Sequence, residues 1–129
     1  IKRFSDPLGS ETGAALSGLK PGYSTRIGAA LRHAGAGLAN VPRHRRLVLL
    51  VTDGEPSDID CPDPDYLVQD ARRAVQSLSA MGIDVFCVGL GPRNKEQEAA
   101  IFGRNGFIQI DRVSALPDKL PALYLRLTR

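Results

Sequence analysis

The stretch LVLLVTDGEP at residues 47–56 decides the fold, because an uninterrupted apolar run ends abruptly in a polar turn. Apolar runs of this length that are rich in branched residues and closed by Gly and Pro are typical of strands buried on both faces of a parallel sheet. In such sheets, ligands bind beyond the carboxyl ends of the strands. Asp53 stands at that position, on a turn whose Gly54 lets the backbone bend sharply. We therefore expect a ligand site at Asp53.

Helical segments on both sides of this run show apolar residues at helical spacing. Asp63 and Pro64 have the chemistry of a helix start, an N-cap followed by proline at the first helical position. Gly82 fits a left-handed cap at the end of the same helix. The earlier helix takes Ser24 or Thr25 as its N-cap. The predicted apolar faces are Ile27, Leu31, Ala34 and Leu38 in the earlier helix, and Leu67, Ala71, Ala74 or Val75, and Leu78 in the later one.

The remaining segments complete an alternation of helices and strands. Helices are predicted at residues 11–19 and 95–102 and strands at 83–89 and 106–111. A final amphipathic helix is expected, whose regular part starts late with Asp118 as its cap. The third strand is expected near an edge of the sheet. Small residues at 28, 35 and 37 suggest a close approach to a neighbouring backbone. The alternation predicts an α/β fold, with a Rossmann-like, mostly parallel sheet flanked by helices.

The composition indicates one globular domain of 129 residues, with 43% apolar and 24% charged residues and a net charge of +3. The densest basic cluster, residues 43–46, lacks interleaved aromatic residues and is interpreted as a solvated loop rather than a nucleic-acid surface. Cys61 and Cys87 form no metal-ligand or redox motif, which favours a reducing, cytoplasmic compartment. Membrane insertion is not expected, because no apolar run is long enough to cross a bilayer.

Oxygen-bearing side chains near the end of the central strand are the candidate metal ligands. Asp53 and Thr25 are the principal ones, and Thr52, Glu55 and Asp58 are candidates for an outer shell. Hard cations such as magnesium prefer oxygen ligands in a near-octahedral array and keep some water. Taken alone the signal is weak, because Asp-Gly after a strand is more often a turn and a threonine before a helix is more often a cap. The residue types thus permit a magnesium site without specifying one.

Longer segments carry a specific resemblance. Residues 23–33, YSTRIGAALRH, and residues 49–60, LLVTDGEPSDID, resemble the von Willebrand factor A (VWA) domain, and more narrowly the C-terminal domain shared by the CbbO and NorD proteins. The segments DPDYLVQDARRAV at 63–75, IFG at 101–103 and LPDKLPALY at 116–124 favour the CbbO branch. The resemblance spans nearly all of the chain, so residues 1–129 are interpreted as the C-terminal part of a single VWA domain.

The resemblance implies a metal-ion-dependent adhesion site. In the family, a DxSxS motif on the first strand, a threonine from a second loop and an aspartate from a third surround a divalent cation, normally magnesium. Thr25 matches the family threonine and Asp53 the family aspartate. A cation with so few charged ligands is electron-poor, so it gains strongly from a carboxylate on a partner protein. Glu55, Asp58 and Asp60 could add outer-shell acceptors or attract the cation, although a hydrophilic rim explains them equally well.

The same resemblance implies a non-enzymatic adaptor. The full protein would couple a hexameric MoxR-type AAA+ ATPase, CbbQ-like or NorQ-like, to a target enzyme. In the CbbO branch the target is Rubisco, from which the motor releases inhibitory sugar phosphates, and in the NorD branch it is nitric oxide reductase. The segments quoted above favour Rubisco.

The start of the chain, residues 1–4 (IKRF), lacks methionine and reads as the tail of a strand, which indicates an N-terminally truncated fragment. No Asp-x-Ser-x-Ser occurs in the sequence, so the cation site is expected to be incomplete in this chain. The absent first strand is central in the family and would lie beside the strand at 47–51. Its loss would expose a long apolar edge, which is an aggregation hazard.

Two alternatives to the adaptor remain open. A magnesium-dependent phosphohydrolase would use Asp53 as nucleophile or ligand, but such enzymes usually need a second carboxylate two residues on and a nearby lysine. Glu55 stands at that position between Gly and Pro, and no lysine follows a strand. His33 and His44 belong to no recognisable nucleophile constellation. The other alternative is a packing module whose metal site has decayed.

Overall fold

The computed structural model of the chain describes residues 6–7, 9–20, 22, 24–92 and 94–128. The strand-like start expected at residues 1–4 lies outside this part. The elements in chain order are α1 (Ser10–Ser17), α2 (Ile27–Ala39), β1 (Arg46–Thr52), α3 (Pro64–Ala80), β2 (Ile83–Leu90), α4 (Lys95–Phe102), β3 (Phe107–Ile110), a 3₁₀ turn (Val113–Ala115) and α5 (Leu116–Thr128). The predicted α/β alternation is confirmed.

The three strands form one parallel sheet in the order β1-β2-β3. Arg46 lies opposite Ile83 at one end of the first pair, and Thr52 lies opposite Gly89 at the other. β3 therefore occupies an edge, as its sequence predicted, and β2 is central. Because parallel strands end at the same edge of a sheet, the turn that follows Thr52 lies at the carboxyl edge.

Helices cover both faces of this sheet. On one face, helices α2, α3 and α4 contribute to a core formed by Ile27, Leu31, Ala71, Ala74, Leu78, Ile83, Cys87, Ile101 and Phe102. On the other face, α5 places Leu123 against Phe86, Val88 and Ile110. The apolar face predicted for α3 is confirmed in full, since Leu67, Ala71, Ala74 and Leu78 are all buried. In α2, Ile27 and Leu31 are buried, whereas Ala34 is exposed and Leu38 is half-buried.

The expectation that β1 is buried on both faces is wrong. Val48 and Leu50 pack against the core on the side of α2 and α3. Leu49 and Val51 point to the opposite face, where they are 39% and 43% exposed. Among the described residues, β2 is the only strand paired with β1. Within that part of the chain, the outer edge of β1 therefore has no partner strand.

The helix ends show which local signals were decisive. Asp63 caps α3, because its carboxylate accepts from the backbone N–H groups of Asp65 and Tyr66 at 3.0 and 3.3 Å. Gly82 has a positive φ of 70°, as the predicted left-handed cap requires. The expected late start of the last helix, with Asp118 as its cap, is wrong, because α5 begins at Leu116 and continues through Pro121. Pro117 lies in the first turn, where the N–H groups lack intrahelical partners, whereas Pro121 lies inside the helix and removes one backbone donor.

Candidate functional site

Two loops are joined at the carboxyl edge of the sheet. Thr25, just before α2, forms an isolated antiparallel bridge with Ser57, which lies in the loop after β1. The Thr25 N–H donates to the Ser57 carbonyl at 2.9 Å, and the Ser57 N–H donates to the Thr25 carbonyl at 3.2 Å. The loop that carries the family threonine is thus attached to the loop that carries Asp53.

The predicted N-cap role of Ser24 or Thr25 is wrong. Helix α2 begins at Ile27, and Arg26 at the N-cap position makes no side-chain capping hydrogen bond. The backbone of Thr25 is instead engaged by Ser57, and the Ser24 hydroxyl donates to the Asp58 carboxylate at 3.2 Å. Both residues therefore connect loops rather than start a helix. Thr25 is exposed to solvent.

Asp53 lies at the tip of a tight turn and is exposed. The turn is held by the buried Thr52, whose hydroxyl donates to the Gly54 carbonyl at 3.1 Å and lies 3.3 Å from the Gly54 nitrogen, which can donate to it. This arrangement is a side-chain-stabilised turn of the kind that Ser and Thr form. Thr52 thus has a structural role in presenting Asp53, and its outer-shell role stays a prediction.

Asp58 is the more enclosed of the two acidic residues predicted for the outer shell. Its carboxylate pairs with the Arg26 guanidinium at 2.9 Å, and its side chain is only 4% exposed. It also accepts from the Ser24 hydroxyl and from the Asp60 N–H, both at 3.2 Å. Glu55, by contrast, is exposed. The structure thus gives Asp58 protein partners and leaves Glu55 facing solvent.

Sequence reasoning missed Arg26 and Ser24 as members of this site. Both flank Thr25 directly, so the match of Thr25 to the family threonine was the signal that could have drawn attention to them. Their shared partner is Asp58, which lies 34 residues after Ser24 along the chain. No local pattern records such a contact.

The residues present fit part of a hard-cation site. Thr25 and Asp53 offer a hydroxyl and a carboxylate from two joined loops, and magnesium prefers oxygen ligands of these kinds. Within the described ranges, no group of three or more His, Cys, Asp or Glu residues is arranged to hold a metal ion. The donor chemistry is therefore suitable, but a full coordination shell needs further ligands.

A second ion pair lies between α2 and α3. The Arg32 guanidinium donates to both carboxylate oxygens of Asp70, at 2.6 and 3.1 Å. This hydrogen bonding lowers the pKa of Asp70 against the opposing effect of desolvation, and the nearby charge of Arg26 acts in the same direction. The two described ion pairs thus fasten α2 and its preceding loop to different neighbours.

The family model of the von Willebrand factor type A domain matches residues 10–118. The chain therefore belongs to the VWA family. No helix in the described part of the chain has the length and apolar character needed to span a membrane.

Curated relatives give a narrower comparison. Protein NorD of Brucella melitensis is 39% identical over 124 residues, which cover 96% of this chain and 20% of the relative. Protein NorD of Stutzerimonas stutzeri is 40% identical over 119 residues, covering 91% of this chain and 19% of the relative. An uncharacterized protein of Pseudomonas aeruginosa is 37% identical over 129 residues, which cover 100% of this chain and 21% of the relative. This chain thus spans about a fifth of the length of these relatives. No solved structure matches the chain significantly.

Proposed function

We propose that this chain is the protein-binding module of a NorD-like accessory protein, and that it grips its target through a divalent cation held in part by Thr25 and Asp53. One observation carries the proposal. The bridge between Thr25 and Ser57 attaches the loop of the family threonine to the loop of the family aspartate at the ligand-binding edge of the sheet.

The chemistry of the two residues supports a receptor for an acidic group. Asp53 supplies a single negative charge and Thr25 a neutral hydroxyl, so this pair neutralises only half the charge of a divalent cation. When bound, the cation would offer Lewis acidity to a carboxylate of the partner protein. Asp58 is directed into its ion pair with Arg26, which leaves Glu55 and Asp60 as exposed acidic residues of the same loop.

The identity of the partners follows from the family branch. Relatives named NorD support the NorD branch better than the CbbO branch that residues 63–75, 101–103 and 116–124 had favoured. We therefore infer nitric oxide reductase as the target and a NorQ-like MoxR-type AAA+ ATPase as the motor. Rubisco, with a CbbQ-like motor, is the alternative that those segments suggest. An accessory role of this kind needs no catalytic residue in the domain.

The test is target capture by the intact protein. We expect magnesium titration by calorimetry to show binding, and we expect Asp53→Ala and Thr25→Ala to weaken it by roughly tenfold or more. Pull-downs with nitric oxide reductase and with Rubisco, each with and without EDTA, identify the target. Asp84→Ala is the matched control, because Asp84 is an exposed aspartate near the opposite end of β2.

The outcomes separate the candidates. Capture of nitric oxide reductase that is lost with EDTA and with Asp53→Ala, but kept with Asp84→Ala, supports the proposal. If Rubisco is captured and nitric oxide reductase is not, the protein is assigned to the CbbO branch. Capture that EDTA and Asp53→Ala leave unchanged contradicts the cation-mediated mechanism.

A further inference from the structure

Three consecutive residues before α2 contact three consecutive residues of the loop after β1. The Ser24 hydroxyl donates to Asp58 at 3.2 Å and accepts from the Ile59 N–H at 3.3 Å. Thr25 and Ser57 exchange backbone hydrogen bonds. The Arg26 guanidinium pairs with Asp58. The segments 24–26 and 57–59 therefore form a continuous connection between the two loops.

Asp58 is the central acceptor of this connection. Its side chain is 4% exposed, whereas that of Arg26 is 53% exposed. A carboxylate withdrawn from water this far is stable only with charge and hydrogen-bond partners, and Asp58 has Arg26 and Ser24 from the first segment and the Asp60 N–H just beyond the second. Removal of its charge would leave Arg26 without its counter-ion and Ser24 with a weaker, uncharged acceptor. The burial of Asp58 is thus best explained by its contacts within the protein.

We propose that Asp58 is the positioning residue of the cation site and that, through Arg26 and Ser24, it clamps the loop of Thr25 onto the loop of Asp53 before any cation binds. The proposal rests on the proposed function in that Thr25 and Asp53 are taken as the cation ligands. It assigns to Asp58 a role other than the outer-shell contact expected from the sequence.

The clamp has a consequence for affinity. Thr25 and Asp53 belong to different loops, and their oxygens can act together only while the loops stay attached. If the loops are separated for most of the time, the apparent affinity for the cation is the intrinsic affinity multiplied by the fraction of protein in which the loops are joined. A site that is assembled in advance avoids this loss.

The first experiment needs no metal. In the intact protein with EDTA, hydrogen exchange is measured at the Thr25 and Ser57 amides, which form the bridge. We expect Asp58→Asn and Arg26→Gln to accelerate both amides by roughly tenfold, because local opening becomes easier. Arg32→Gln is the matched control, since Arg32 lies in α2 and its substitution breaks the ion pair with Asp70 of α3 without touching the bridge. Arg26→Lys keeps the charge and should accelerate exchange less.

The second experiment measures magnesium affinity of the same variants by calorimetry. We expect Asp58→Asn and Arg26→Gln to bind magnesium about tenfold more weakly, and Arg32→Gln to bind as the wild type does. Exchange across α3 identifies a variant that unfolds globally, and the milder Arg26→Lys then replaces it.

Each result decides one point. Accelerated bridge exchange together with weaker magnesium binding supports the positioning role. Unchanged bridge exchange overturns it, even if magnesium affinity falls, because Asp58 would then act on the cation directly. Accelerated exchange with unchanged magnesium affinity also overturns it. Wild-type protein that binds no magnesium overturns the proposed function, whereas the exchange data still decide whether the clamp exists.

Discussion

At the residue scale, Arg46 shows how a charged side chain at the start of a strand can connect helices. Its guanidinium donates to the Ala39 carbonyl at 2.9 Å and to the Met81 carbonyl, at the ends of α2 and α3. The last carbonyls of a helix lack intrahelical partners and attract cations. The interpretation of residues 43–46 as a solvated loop therefore holds for the exposed residues 43–45 and is wrong for Arg46.

The ion pair between Arg32 and Asp70 predicts a pH-dependent stability. The pKa of Asp70 is lowered in the folded state, chiefly by hydrogen bonds from Arg32. The ion pair's contribution to the free energy of unfolding is therefore complete above the unfolded pKa of Asp, about 3.9. It is lost as the pH falls through the folded pKa. We expect Asp70→Asn to lower the free energy of unfolding by about 0.5–1 kcal/mol at pH 7. Urea unfolding at pH 7 and at pH values below 4 measures the change.

The same substitution at Asp111, which is exposed, is the control and should change stability little. The difference in the free energy of unfolding between wild type and Asp70→Asn should shrink toward zero at the lowest pH values. There the Asp70 carboxyl is uncharged, like the asparagine that replaces it. A difference that stays constant with pH would instead point to packing at Asp70 as the source of the effect.

At the scale of elements, two glycines allow α2 to lie close to α3. A Cβ at Gly28 would lie 2.1 Å from an Asp70 carboxylate oxygen, and a Cβ at Gly35 would lie 2.0 Å from a methyl carbon of Leu78. A Cβ at Gly37 would meet nothing within 4 Å. The predicted close approach to a neighbouring backbone is therefore confirmed at Gly28, which also lies near the Asp70 backbone; at Gly35 the close neighbour is a side chain, and at Gly37 the prediction is wrong.

This difference predicts opposite effects of the same substitution. Gly35→Ala should lower the free energy of unfolding by about 1–3 kcal/mol, because Leu78 is fully buried and must shift. Gly37→Ala should raise it by up to about 1 kcal/mol, since alanine is the better helix former. Chemical denaturation of both variants against wild type is the measurement. Equal effects at the two positions would show that helix propensity, and not helix contact, dominates in α2.

At the scale of the whole molecule, the apolar face of β1 is continuous with α5. Leu49 lines an open cleft of about 590 Å³ together with Leu47, Tyr124 and Leu127. Val51 is also exposed on this face, and the outer edge of β1 has no partner strand among the described residues. Exposed apolar edges of this kind template association with other chains.

We therefore expect the 129-residue chain alone to self-associate with increasing concentration, and Leu49→Lys to reduce this association because a charge opposes edge pairing. Sedimentation velocity over a concentration series measures it. Leu19→Lys is the control, because Leu19 is 60% exposed but belongs to the segment just after α1 and not to β1. A wild-type chain that is monodisperse at every concentration and has a native circular dichroism spectrum would contradict the prediction.

The sequence alone determined what depends on near neighbours. The start of α3 at Asp63 and Pro64, its end at Gly82, and its buried face at helical spacing are all as predicted. Asp53 stands after β1 as expected, because an apolar run closed by a polar turn is itself a local signal. Such features involve residues one helical turn apart or less, so their chemistry can be read directly from the order of residues.

Only the tertiary structure decided how distant segments use the same side chains. Ser24 and Thr25 have the chemistry of helix caps, yet the sheet brings them to the loop after β1, where Asp58 and Ser57 are their partners. Leu49 belongs to an unbroken apolar run, yet its exposure depends on which elements lie over that face of the sheet. The contacts of a side chain depend on which residues the fold brings next to it. For Ser24 and Asp58, which are 34 residues apart, tertiary packing and not local sequence determines the contact.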